Sequence, residues 1–172
     1  MIDEFKIWFD ELGFHAMERK KQIELVTGKR PKWTNSVKNK EIKQKFTEKG
    51  RELSCIKSRS SIDRKAREWL YDLTWREFNE KNQFVGVKLA MEIELSDIKT
   101  SGLIYDFNKL LQSDAEYKVF VFQQSTIALS VEMFEVLSNA ALAYRVRSSA
   151  KFLLVCWCWE SGTFLYRELG DF

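Results

Sequence analysis

The sequence has one proline, seven glycines and one histidine in 172 residues, and its three cysteines are odd in number. So little proline and glycine leaves no room for a flexible linker between domains. With His15 as the only imidazole, Cys55, Cys156 and Cys158 lack the partners of a zinc site, and their spacing does not suit a disulfide framework. Free, buried cysteines in a reducing cytoplasm are the better account. No stretch approaches the roughly 18 apolar residues that span a bilayer. The longest apolar run, Phe152 to Trp159, is a strand-length segment of eight. Met1-Ile2-Asp3-Glu4 is acidic, with no apolar run behind it, unlike a secretory signal. The expectation is a cytoplasmic protein that does not engage membranes.

What is present is hydrophobic and aromatic. Apolar residues make up 45% of the chain, with thirteen Phe and six Trp, enough for a buried core and against disorder. The length suits one domain over residues 1–172. The net charge of +3 hides an asymmetry: residues 19–67 hold 17 Lys/Arg against 5 Asp/Glu, and the remainder 11 against 20. A block of +12 on a body of −9 points to a polyanionic partner, nucleic acid, and DNA first.

Apolar spacing at Phe5, Trp8, Phe9 and Leu12 predicts a helix over 3–12, ended or bent by Gly13. A second helical stretch follows from His15 to Val26, stopped at Thr27-Gly28, so residues 1–35 form a helical extension. GKRPKW (28–33) reads as a basic turn, because the residue before Pro31 disfavours helix. Asn35 or Ser36 can cap a long basic helix to Leu53, with Ile42, Phe46 and Leu53 on its buried stripe. The period then changes to two. From Ala66 to Phe78, Trp69, Tyr71, Leu73 and Trp75 share one face, while Glu68, Asp72, Thr74 and Arg76 share the other. From Phe84 to Ser96, Val85, Val87, Leu89, Met91, Ile93 and Leu95 oppose Lys88, Glu92 and Glu94. The hairpin-length EFNEKNQ (77–83) makes these two strands antiparallel neighbours. A helix over 101–112, a buried strand YKVFVF (117–122), a helix over 131–145 and a hairpin over 151–168 complete the chain. Residues 124–172 thus form a C-terminal helix and hairpin.

Residues two apart on a strand share a face about 6.5 Å apart, and neighbouring strands lie about 4.8 Å apart. Asp72 can therefore converge with Glu92 and Glu94. Three carboxylates so close repel one another, and a hard divalent cation, Mg²⁺ or Mn²⁺, resolves that repulsion. The ordinary alternative is a set of solvated acids on an outer strand face.

The order of helix, strand, strand with Asp, strand with Glu-x-Glu, helix and buried strand resembles the αβββαβ core of the PD-(D/E)xK nuclease superfamily. EWLYDLTW (68–75), KLAMEIELS (88–96) and DFNKLL (106–111) carry the likeness, which covers residues 37–123. It implies an α/β (α+β) fold with a mixed central sheet, flanking helices and a restriction endonuclease-like core. The implied activity is metal-dependent hydrolysis of DNA phosphodiester bonds, of restriction or defence type. Asp72 resembles the family's strand aspartate and Glu92 the first acid of its (D/E)xK. Glu94 stands where the family has lysine, a departure that some type II restriction endonucleases share, their second glutamate helping to activate water. The implied metal set is Asp72, Glu92 and Glu94. Glu52 or Glu48 would be the helix glutamate, and Lys109 or Lys88 a displaced lysine. Lys29, Arg30 and Lys32 of the basic turn, with Lys38, Lys45 and Lys49 of the basic helix, would hold the phosphate backbone. Double-strand cleavage by one small nuclease domain would require a symmetric homodimer. Two alternatives stand beside the enzyme. One is an inactive binding module, which the absent lysine favours. The other is an interaction subunit presenting Phe152, Trp157, Trp159, Phe164 and Tyr166 to a partner.

Overall fold

Among the described residues, four helices and six strands follow one another as α1 (Ile2–Thr27), α2 (Asn35–Glu52), β1 (Ile56–Ser60), β2 (Leu73–Phe78), β3 (Phe84–Ile93), α3 (Thr100–Leu111), β4 (Ala115–Gln124), α4 (Ile127–Ala143), β5 (Lys151–Cys158) and β6 (Thr163–Leu169). They come from a computed structural model that describes residues 1–62, 70–145 and 149–170. The strands form one mixed sheet in chain order: β1, β2 and β3 pair antiparallel, β3, β4 and β5 parallel, and β5 and β6 antiparallel.

Alternation along the strands divides the core in two. Leu89, Met91, Val119, Val121, Leu153 and Val155 pack under Phe5, Phe9, Ile42 and Phe46 of α1 and α2. Ala90, Phe120, Phe122 and Leu154 pack against Phe107 of α3 and Phe134 of α4 on the other face. Helices cover both faces, so β4 and β5 read as near-continuous apolar runs.

Several local expectations are corrected. Gly13 does not end α1, which continues to Thr27 and is closed by Gly28 in the left-handed conformation (φ 67). A Cβ on Gly13 would lie 3.3 Å from Trp157 and 3.5 Å from Phe164, so its role is to let the helix approach the β5–β6 hairpin. Thr34, not Asn35 or Ser36, caps α2, accepting from Val37 N at 3.4 Å. The polar segment IKSRS, without apolar alternation, forms β1 at the sheet edge, where charge discourages further strand pairing. Trp69 and Glu68 lie outside the described residues. The described part of β2 begins at Leu73, after Leu70 adopts φ 68. That turn sends Tyr71 to the α3–α4 side, opposite Leu73 and Trp75. Trp75 pairs with Leu89 but Arg76 with Val87, so Lys88 is an extra, bulged residue and Val87 changes face.

The aromatic C-terminal hairpin is interior rather than displayed. Phe152, Trp157 and Phe164 are buried, whereas Trp159 is 51% exposed. The three cysteines are free, but only Cys156 and Cys158 are buried as expected; Cys55, in the left-handed turn after α2, is exposed. Among the described residues, no helix is long and apolar enough to cross a membrane.

Candidate active site

Asp72 and Glu92 come to the same end of the β2–β3 pair, since Leu73 lies opposite Met91. Asp72 is fixed from two sides. Its Oδ2 accepts from the Ile93 backbone N–H at 2.8 Å, and its Oδ1 receives Lys43 Nζ, from α2, at 2.8 Å. Lys43 is nearly buried and also donates to Ser61 Oγ at 3.0 Å.

Glu92 faces the other helical layer. Its side chain is only 6% exposed, and Lys109 Nζ, from the last turn of α3, lies 2.6 Å from Oε1. The contact is an ion pair lacking the direction of a hydrogen bond, so this buried oxygen has no directed donor. Burial, reinforced by the charges of Asp72 and Asp106, pushes the Glu92 carboxyl up to about 7 despite Lys109. Burial works against the Lys109 charge, but contact with Glu92 and the nearby Asp106 and Asp72 outweigh it and raise its pKa. The ammonium also lies 5.7 Å from the centroid of the Tyr71 ring.

Glu94 has a different task. Its Oε1 accepts from Ser96 N at 2.6 Å, Ser96 Oγ at 2.8 Å and Asp97 N at 2.7 Å, which ties it to the turn after β3. Among the described residues, no three His, Cys, Asp or Glu side chains come together as a metal-binding group. Of the three expected carboxylates, Asp72 and Glu92 each meet a lysine and Glu94 is engaged in the adjoining turn. Asp106 of α3 stands near them, its carboxyl raised by burial and by the charges of Glu94 and Asp72.

Other expected members stand elsewhere. Glu52 pairs with Lys49 at 2.8 Å at the end of α2. That is nine residues past Lys43, or about 13 Å along a helix axis. Glu48 accepts from Gln44 at 2.9 Å. The α2 side chain that reaches Asp72 is thus a lysine. Lys88 pairs with Glu116, and of these two lysines it is Lys109 that reaches Glu92.

The expected phosphate-binding row is also divided. Lys38 is wholly buried, donating to Gln123 Oε1 at 2.7 Å with the Trp33 and Trp157 ring centroids 5.2 and 5.1 Å from its Nζ. Lys45 and Lys49 hold Glu11 and Glu52, each at a shortest contact of 2.7 and 2.8 Å. Lys29, Arg30 and Lys32 are exposed as expected. At Ile93, whose N–H holds Asp72, a hollow of about 280 Å³ opens between Asn35, Asn39 and Lys40 of α2 and Ser61, Ile93 and Ser96.

Lys43 and Gln123 escaped the sequence reading. A signal for each exists. Lys43 falls among the buried positions of α2, and Gln123-Gln124 ends an otherwise apolar strand with two amides. Comparison with protein-family models, curated proteins and solved structures finds no match to this chain, so no relative lends it a function.

Proposed function

We propose that the protein is a divalent-metal-dependent endonuclease acting on DNA, built on a PD-(D/E)xK-like core. The element order α2, β1, β2, β3, α3, β4 supports this reading, with an acid at the start of β2 and another near the end of β3. The observation that carries it is Glu92: a buried carboxylate raised to about 7, beside a second acid and under a lysine from a separate helix. Burying such charges is costly, and strongly perturbed acids cluster where chemistry is done.

Asp72 and Glu92 fit a Mg²⁺ or Mn²⁺ ion, because both are hard oxygen donors and Glu92 Oε1 lacks a directed donor. When bound, the ion would polarise a phosphate and acidify a water. The chain's own residues do the rest. Ile93 N–H and Lys43 orient Asp72, and Lys109 offsets the Glu92 charge and can turn to an anionic phosphate oxygen. In this reading Lys109 supplies from α3 the cation that position 94 lacks. Glu94 holds the turn over the site. A non-cleaving nucleic-acid-binding module is the second reading, favoured by the engagement of Glu94 in the turn after β3.

The test is incubation of supercoiled plasmid and of single-stranded DNA with Mg²⁺, with Mn²⁺ and with EDTA. Metal-dependent cleavage is expected. Asp72→Asn or Glu92→Gln should lower it at least about 10²-fold, and Lys109→Met by about 10²-fold. DNA bound but left uncut with either ion selects the binding module. Wild-type rates in Glu92→Gln remove that residue from the reaction.

A further inference from the structure

A second concavity lies at the same end of the parallel strands as the carboxylates. It encloses about 800 Å³ between the 28–34 segment and the β5–β6 turn, within the range of small-ligand sites. Trp33, Trp157 and Trp159 line it, together with Lys20, Arg30 and Lys32.

Its aromatic wall is held in place beforehand. Trp33 Nε1 donates to Glu41 Oε2 at 2.9 Å, and Arg19 grips the same carboxylate at 2.8 Å, pinning the basic segment to α2. Trp33 meets the buried Trp157 edge to face, with centroids 4.8 Å apart. Trp159 is anchored by its backbone N–H on Gln124 O at 3.0 Å and by its Nε1 on Gln123 Oε1 at 3.2 Å, yet half of it stays open to solvent.

The charge at the mouth is positive and largely unspent. Among the described residues neither Lys20 nor Lys32 has an acidic partner, and Arg30 approaches Glu24 only to 3.6 Å. Glu160, the acid of the lining, is occupied by the Ile127 N–H at 2.8 Å. Anchored indoles beside lysines that lack acidic partners suit a ligand that is planar and anionic together.

The position connects this pocket to the carboxylates. Trp157 lies opposite Gln123 in the sheet. Gln123 Nε2 donates to Asn35 Oδ1 at 3.0 Å and to the carbonyl of Leu95, and Asn35 Nδ2 donates to that carbonyl at 2.6 Å. Asn35 and Leu95 also line the 280 Å³ hollow beside Ile93. The row from β5 to β3 spans two strand spacings, about 10 Å.

We propose that this pocket is a stacking subsite for an unpaired nucleobase of a single nucleic-acid strand, whose phosphates meet Lys20, Arg30 and Lys32 and whose backbone passes Asn35 and Lys40 toward Asp72 and Glu92. It deepens the nuclease reading and rests on it for the identity of the ligand. A base inside a duplex has no free face to offer the indole, so the subsite selects single-stranded or extruded nucleotides.

The experiment measures anisotropy of a labelled oligothymidine of about 12 nucleotides and of a blunt duplex, without metal, against wild type, Trp159→Ala and Trp159→Phe. Stacking contributes about 1–3 kcal/mol per base, so Trp159→Ala should weaken oligothymidine binding by roughly 5- to 150-fold. The loss on duplex should be much smaller, and Trp159→Phe should recover most of the affinity. Equal losses on both ligands, or none on oligothymidine, overturn the subsite while leaving the nuclease reading standing. Binding of neither ligand overturns both. A stacking effect without any metal-dependent cleavage keeps the subsite and sinks the nuclease.

Discussion

Lys38 shows how far one side chain can depart from what its type suggests. Burial, with repulsion from Lys20, brings its pKa from 10.5 down to about 7, and Cys156 opposes this only weakly. The unfolded chain therefore binds more protons than the native one between about pH 7 and 10.5, and stability from this group rises with pH across that window. Below pH 7 both states carry the proton and the slope vanishes. The full span is on the order of 5 kcal/mol. In Lys38→Met, urea unfolding at pH 6.5, 8 and 9.5 should lose this rise relative to wild type, and the variant should gain stability at the lowest pH. Trp159 still donates to Gln123 Oε1 there, so the amide keeps a partner. Parallel pH curves for the two proteins would show that Lys38 is charged in the fold. Nothing local marked Lys38 for burial, because its partner Gln123 is 85 residues away. Glu92 was readable because strand period places it near the end of β3, whereas Asp72 lies just before β2, where the Leu70 turn interrupts the alternation. Lys109 was readable as a candidate, since Lys88 lies four residues from Glu92 along the strand, about 13 Å away.

At the scale of elements, period was the dependable signal wherever apolar residues repeat: α3, the β2–β3 hairpin and the β5–β6 hairpin fall where their patterns put them. β1 did not, since an edge strand with Lys57 and Arg59 has little apolar face to repeat. Glycine inside a helix was misleading too, because Gly13 and Gly50 are set by what crosses over them. At Gly50 of α2 a Cβ would lie 2.5 Å from Trp75 Nε1, whose ring is fully buried and whose N–H is committed to Phe46 O at 3.0 Å. Gly50→Ala gains up to about 1 kcal/mol of helix propensity. It loses about 1–3 kcal/mol or more to overpacking against an indole that cannot retreat. Net destabilisation is expected, with a melting temperature lower by several degrees in a thermal scan. A melting temperature equal to or above wild type would mean that α2 can lift from Trp75.

Over the whole molecule, the +12 of residues 19–67 is not one basic surface. Lys38 and Lys43 are interior, and Lys45 and Lys49 answer acids, whereas Lys20, Lys32 and Lys40 border the two concavities at the ends of the parallel strands. Binding of single-stranded DNA should thus depend on salt through the second group. Neutralising Lys20, Lys32 and Lys40 to Gln should flatten the log–log salt slope by about 2, at roughly 0.7 per phosphate contact. Neutralising Lys45 and Lys49 should change it little. The reverse ranking would put the nucleic acid on the far half of α2. The seam between α1 and β6 bears on how the chain reaches this state. Tyr166 donates to Asp10 Oδ1 at 2.6 Å and to the Lys6 carbonyl at 3.2 Å, and Phe9 meets Phe164 at 5.1 Å. These contacts join segments about 155–160 residues apart, although every strand neighbours the next one made. During synthesis the first helix therefore leaves the ribosome long before the strand that seats it. Its apolar stripe stays uncovered on that side meanwhile, the interval in which a nascent chain is most open to chaperones and to aggregation.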